Sequence, residues 1–389
     1  MKTAARWKIT WQKLYRPSLG LAIAMVALVL ANSADAQSEG DENGKGTHPV
    51  TLKDMGIMYV GGERVDSPNS GCLSIFCGPN NTGVTVQSTE GFFGFVEYFI
   101  PEGAEKPPIV LIPGRNIMGN TYQMKPPGGE SWTTFFLRQG YPVYLYTQPG
   151  RGPAMGYTDQ INNEIQGLNP PNTTDRVQHF TDTALGSFGI GPSYGKFYPG
   201  TQFPQDIDFY KQAMANWGTA MGPAGPVGDP RTTNATNTAL IKLLEKIGPA
   251  IVMGHSSGGL EMWTAAVQRP ELFVKLIGVE AVGCNPTFAP QLAHLPILNF
   301  WGTYPAQRQA DFPVASAFFG NPTGLLVVQC TDMGKAVRAL GGRAGMLMLE
   351  DIGLVGTTHL LMYDQVNIDI AKLVVRWIED EGDAGLPLR

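Results

Sequence analysis

Two segments of this chain share the pattern Gly-x-Ser-x-Gly: GHSSG at 254–258 and GPSYG at 191–195. A serine hydroxyl is a weak nucleophile until a base takes its proton, so either serine needs partners before it can attack a carbonyl. In a chain holding 48 glycines the pattern alone says little, and the flanking residues must separate the two matches. The apolar run AIVM precedes Gly254 and the helical pattern GLEMWTAAVQ follows Gly258. That context predicts a sharp strand-to-helix turn, which lifts its central serine above the carboxyl edge of a sheet. GPSYG has neither neighbour. Ser256 is the expected nucleophile, Ser257 the expected backbone N–H donor beside it, and Ser193 a loop residue.

The base can be sought by elimination, because the chain has five histidines. His48 lies in a polar stretch, His179 in an irregular one, and His255 inside the turn itself. His294 precedes a strand, at the wrong edge of a parallel sheet. His359 falls between the last strand and the last helix, in a loop that hangs over the edge where Ser256 is expected. An acid should then orient the imidazole and stabilise its charged form. The usual position follows the strand LPILNFWG, but Gly302-Thr303-Tyr304 offers no acid, and Asp311 lies nine residues beyond Gly302. Glu280 closes the preceding apolar strand, where an unpaired carboxylate would be costly. Glu280 is the assigned acid and Asp311 the alternative. A second oxyanion donor is expected after PPIVLIPG, where a tight turn at Gly114 would aim the Arg115 N–H at the site.

These residues need a scaffold. PPIVLIPG, YPVYLYTQPG, PAIVMG, LFVKLIGVEAVG, LPILNFWG and AGMLMLED read as buried strands, with helical patterns between most of them. Such alternation argues for an α/β fold, a mostly parallel sheet with helices on both faces. Two strand-like runs at 56–65 and 91–100 come first. From 151 to about 231 the rhythm fails, apart from one helical pattern in PQDIDFYKQAMANW. So long an irregular stretch inside a compact domain reads as a functional, lid-like insertion.

Hydrophobic residues make up 43% of the 389 residues and charged ones 16%, the balance of a folded chain with a sizeable core. The N-terminus pairs five basic residues with the apolar run LGLAIAMVALVLA and the small residues Ala34-Asp35-Ala36, the form of a cleaved export signal over 1–36. Residues 37–50 follow as a polar linker, and 51–381 as one domain. No later segment is apolar for long enough to span a bilayer. Removing residues 1–36 takes five basic and one acidic residue from 28 and 33, leaving 23 against 32 and a net charge of −9. Without a basic cluster, nucleic acid is excluded as a partner. A periplasmic or secreted destination permits disulfides. Cys72 and Cys77 in GCLSIFCGP are placed to bridge, while Cys284 and Cys330 are either a second pair or two buried thiols. No H-E-x-x-H, C-x-x-C or Walker pattern occurs, so no metal or cofactor is expected.

Taken together, VEYFIP, PPIVLIPGRNIMG, FFLRQGYPVYLYTQPGRG, GHSSGG, GVEAVG and TTHLLM resemble the α/β-hydrolase superfamily, and within it the secreted bacterial esterase 713-like carboxylesterases. The likeness spans roughly residues 51 to 380. It implies an exported carboxylesterase that forms an acyl-enzyme, with Ser256, Glu280 and His359 as its triad and Arg115 as oxyanion donor. Pro113, where many hydrolases carry histidine, and the Arg115-Asn116 pair depart from the wider pattern. The expected partner is a small-molecule ester, and a homodimer is compatible with the chain. The alternatives are a lactonase, amidase or acyltransferase using the same residues, or a non-catalytic binder on this fold.

Overall fold

The computed structural model describes residues 49–69, 85–154, 182–217, 230–318, 323–380 and 385–389. The expected export signal, most of the linker, and Cys72 and Cys77 lie outside the described residues. One eight-stranded sheet organises the chain, in the order β1-β2-β4-β3-β5-β6-β7-β8. β1 (Leu52–Asn69) and β2 (Thr85–Pro101) form an antiparallel hairpin, and β2 joins β4 (Val143–Thr147), also antiparallel. From β4 onward every pairing is parallel, through β3 (Ile109–Ile112), β5 (Ala250–His255), β6 (Phe273–Val279), β7 (Ile297–Trp301) and β8 (Ala344–Met348). The run at 56–65 is thus the middle of the longer β1, and that at 91–100 the C-terminal part of the longer β2. Their polar ends, such as Asp66 against Ser88, pair through the backbone without any apolar alternation to announce them.

Alternate residues of the parallel strands face two separate cores, which is why the strands read as unbroken apolar runs. Leu111, Leu145, Met253, Ile277, Phe300 and Leu347 face one side, under the helices α1 (Trp132–Arg138) and α10 (Asn367–Glu379). Val110, Tyr146, Val252, Leu276, Trp301 and Met346 face the other. That side is covered by α4 (Pro230–Ile247), α5 (Ser257–Gln268) and α9 (Leu325–Ala339). α1 starts where Ser131 Oγ accepts the Thr134 N–H, a side-chain cap on the first turn. Cys284, just after β6, is bonded to Cys330 in α9, so the second pair of cysteines is a disulfide. The C-terminal residues also belong to the domain. Arg389 N–H donates to Met346 O at 2.8 Å along the outer strand β8, and Arg389 pairs with Asp351.

Within the irregular stretch at 151–231 the described residues hold two helices, α2 (Asp182–Ser187) and α3 (Ile207–Ala215), where the sequence announced only the second. α4 also starts earlier than its apolar pattern, because Pro230 suits a first helical turn and the polar turns after it add no apolar signal. The short helix α6 (Ala289–Leu292) precedes β7, and two more, α7 (Ala306–Asp311) and α8 (Pro313–Phe318), follow it. Among the described residues no helix is long and apolar enough to cross a membrane.

Candidate active site

β5 is buried along its whole length and ends at His255, and α5 begins at Ser257. Between them Ser256 has φ 52° and ψ −123°, a conformation side chains other than glycine seldom adopt. Only Asn116, Ser256 and Glu280 have positive φ among the described residues that are not glycine, and all three stand at the carboxyl ends of neighbouring strands. Strain of this kind costs on the order of 1–3 kcal/mol per residue and persists only where the surroundings enforce it. At Ser256 they do. Its N–H donates to Val279 O at 3.1 Å, and its carbonyl accepts from Gly259 and Val282 at 3.0 and 2.8 Å. The glycines serve close approach: a Cβ on Gly258 would lie 2.6 Å from Pro113 O, and one on Gly114 would lie 2.9 Å from Ser256 Cβ.

Glu280 sits one residue beyond β6, fully buried, with φ 47°. Its Oε1 accepts the Gly302 N–H at 2.8 Å, and its Oε2 lies 2.5 Å from His359 Nδ1. Tyr304 Oη donates to the same Oε2 at 2.5 Å and stands 3.2 Å from His359 Nδ1. With Nδ1 engaged by a carboxylate, the imidazole carries its proton there and leaves Nε2 able to accept. The His359 loop is fastened separately. Asp364, wholly buried, accepts from Thr358 N and Thr358 Oγ1 at 2.7 and 2.8 Å. Burial raises the Asp364 pKa to about 8, against the pull of those two bonds.

Two further contacts bind His359 to its neighbours. Its N–H donates to Phe188 O at 3.0 Å, and the Phe188 ring lies 4.9 Å from the imidazole. The stretch after β4 therefore reaches His359 directly. His255 Nε2 donates to His359 O at 2.8 Å, with burial holding the His255 pKa down to about 3. His255 is thus a neutral brace between the turn and the His359 loop.

On the other side of Ser256 runs the segment 113–116. Gln148 Nε2 donates to Pro113 O at 2.7 Å and Arg151 Nη1 to Gly114 O at 2.8 Å. The strained residue of this turn is Asn116, with φ 61°, and not Gly114, whose lack of a side chain is used for contact with Ser256 and His255. Arg115 precedes it with an exposed side chain. Behind the segment, burial lifts the Glu261 pKa to about 7, partly opposed by Arg151 at 3.9 Å.

The sequence candidates divide accordingly. Ser256, Ser257, Glu280 and His359 come to one edge of the sheet, with the Arg115 segment packed on Ser256. Asp311 does not join them. It ends α7 as an exposed residue within 3.3 Å of Gln307 Nε2, while the His359 imidazole is occupied by Glu280. Ser193 lies in a turn between α2 and α3, its carbonyl accepting from Lys196 at 3.0 Å. Sequence reasoning missed Tyr304, Arg308, Thr358 and Asp364. A signal existed for Tyr304, which occupies the segment after β7 where an acid was sought.

No protein-family profile matches the chain. It is 28% identical over 335 residues to a probable secreted lipase of a fungal species, across 75% of this chain and 87% of that protein. Among solved structures it is similar to a novel bacterial esterase, at 25% identity and a TM-score of 0.70, covering 85% of this chain and 97% of that one.

Proposed function

Starting from an α/β hydrolase that resembles the esterases, we propose that this chain hydrolyses carboxylic esters through an acyl-enzyme, with Ser256, His359 and Glu280 as its triad. The observation that carries the reading is the Glu280–His359 contact of 2.5 Å, formed at the sheet edge where Ser256 is held in its strained turn. In the first half-reaction His359 Nε2 takes the Ser256 proton as Oγ bonds to the ester carbonyl carbon. The oxyanion that forms is stabilised by the backbone N–H groups of Ser257 and Arg115. Collapse expels the alcohol, which leaves with the proton from His359. Water then attacks the acyl-enzyme by the same path in reverse, returning Ser256 and releasing the acid. Throughout, Glu280 balances the charge of the imidazolium.

Residues 1–36 direct the chain out of the cytoplasm on this reading, and the secreted lipase relative is consistent with that destination. The test is labelling by a fluorophosphonate probe, followed by a series of p-nitrophenyl esters of graded acyl length. Labelling at Ser256 together with turnover supports the proposal. No labelling leaves the non-catalytic binder, and labelling with amide or lactone turnover but no ester turnover moves the chemistry to another acyl group.

A further inference from the structure

We propose that Tyr304 is a positioning residue that sets the proton affinity of the Glu280–His359 pair, a role that rests on the triad reading above. Its phenol stands 2.5 Å from Glu280 Oε2 and 3.2 Å from His359 Nδ1, so one hydroxyl meets both members of the pair. The geometry assigns the protons. Glu280 Oε2 can only accept when ionised, so the Tyr304 hydroxyl donates to it. The phenol oxygen then faces the Nδ1–H with a free lone pair, and the imidazole proton is shared between carboxylate and phenol. This arrangement rejects the other tautomer, in which Nδ1 would lack its proton.

The residues behind Tyr304 strengthen its O–H as a donor. The Arg308 guanidinium lies 4.0 Å from the centre of the Tyr304 ring, and Arg308 is itself buried. A cation over the ring draws electron density from the phenol oxygen. Arg308 is fixed by two bonds to Ser187 O, at 2.8 and 2.6 Å, and one to Ser316 Oγ at 3.0 Å. Ser187 ends α2 and its neighbour Phe188 accepts the His359 N–H, so the same short segment holds both the tyrosine's cation and the base. Burial and the adjacent Glu280 hold the Tyr304 pKa well above that of a free phenol, so it stays a donor at every working pH.

The other ionisable groups around the pair are Asp364, through its field on Tyr304, His255, whose ring lies 4.8 Å from His359, and Tyr198, which acts on Arg308 and is itself touched by Asp311. Among the described residues, His359 and Tyr304 meet Glu280 Oε2 directly.

Tyr304→Phe removes the hydroxyl and keeps the ring over Arg308. The anionic pair then loses a charge-assisted donor, and its affinity for a proton rises whichever member receives it. The acidic midpoint of kcat/KM should move up by about one pH unit, with plateau kcat reduced about tenfold and KM changed less than twofold. 3-Fluorotyrosine at position 304 keeps the fold and makes the phenol a stronger donor, so it should move the midpoint down. Opposite shifts in the two proteins support the proposal, and the fluorotyrosine arm alone decides if Tyr304→Phe does not fold. A midpoint unmoved by 3-fluorotyrosine, in protein whose Ser256 still reacts with a fluorophosphonate, overturns it and leaves the triad standing. Absence of Ser256 labelling in the unaltered enzyme would overturn the triad itself.

Discussion

GHSSG and GPSYG are the same pattern in two physical settings, and their glycines do not distinguish them. A Cβ on Gly191 would come within 1.7 Å of Lys196 O, and one on Gly258 within 2.6 Å of Pro113 O. Both motifs need glycine because backbone passes close by. What differs is the serine. Ser256 is forced to φ 52° by the crossing from a buried strand into a helix, whereas Ser193 is absent from the residues with positive φ. At the sheet edge that carries Ser256 stand a carboxylate, an imidazole and a phenol in mutual contact, while the described bond at Ser193 closes a local turn. A glycine-bracketed serine is therefore evidence of tight packing. Reactivity depends on the strand, the helix and the partners they deliver.

The largest effect should come from the serines. Ser256→Ala is expected to lower ester turnover by a factor on the order of 10⁴–10⁶, the range for loss of a nucleophile. Ser193→Ala should leave turnover within about twofold, since surface-turn substitutions act mainly on stability, and weakly. Comparable losses in the two purified variants would abolish the distinction between the motifs. The acids form a second contrast. Glu280→Gln keeps the shape but removes the charge opposite His359, and should reduce kcat by about 10²–10⁴ with little change in KM. Asp311→Asn, at its exposed helix end, should cost less than about threefold. An inactive Asp311 variant beside an active Glu280 variant would transfer the acid's role to α7.

Next come the glycines, whose two requirements predict different failures. Gly258→Ala pushes on the Pro113 carbonyl and so on the segment that carries the Arg115 N–H. Loss of one oxyanion donor costs about 10²–10³ in kcat, and a displaced one should approach the lower figure. Gly191→Ala strains a turn three residues beyond Phe188, whose carbonyl holds His359. It should lower the melting temperature, with kcat per folded molecule from active-site titration falling far less than in Gly258→Ala. If Gly258→Ala lost only stability, Arg115 would not be the donor.

Much of this was legible because the information is local. The Ser256 turn, the His359 loop and Glu280 at the end of β6 are each defined by a few adjacent residues whose types conflict with their apolar surroundings. The parallel sheet was readable for the same reason, through buried runs such as IVLI and AIVM. What stayed hidden depends on distant pairing. Tyr304 gains its role only because β6 and β7 are neighbours, which brings its phenol to Glu280. Arg308 reads as a surface charge until α2 supplies the Ser187 carbonyl. The long hairpin arms have backbone pairing and no apolar rhythm, and Cys284 meets Cys330 across 46 residues that no spacing rule links. Gly114 opens a turn, its carbonyl accepting the Ile117 N–H at 3.3 Å, but it also makes close contact with Ser256 and His255, and sequence does not separate these uses of glycine.

The smallest effect concerns a buried carboxyl on the Ser256 side of the comparison. Asp364 fastens the His359 loop through Thr358, and burial raises its pKa to about 8. In the unfolded chain the same carboxyl titrates at ~3.9. Between these values the folded protein binds a proton that the unfolded chain has released, so each rise in pH favours unfolding. The stability Asp364 contributes is complete below about pH 4 and falls away as the pH approaches 8. Asn at this position is isosteric with the protonated acid. It can accept from the Thr358 N–H, donate to the Thr358 hydroxyl, and does not titrate. Asp364→Asn should therefore keep most of the activity and gain in melting temperature relative to the unaltered protein as the pH rises from 5 to 8. Parallel melting curves against pH would show that the carboxyl titrates alike in both states. A variant that instead loses ground with rising pH would mean that the Thr358 donors outweigh burial and hold Asp364 as a carboxylate beside the base.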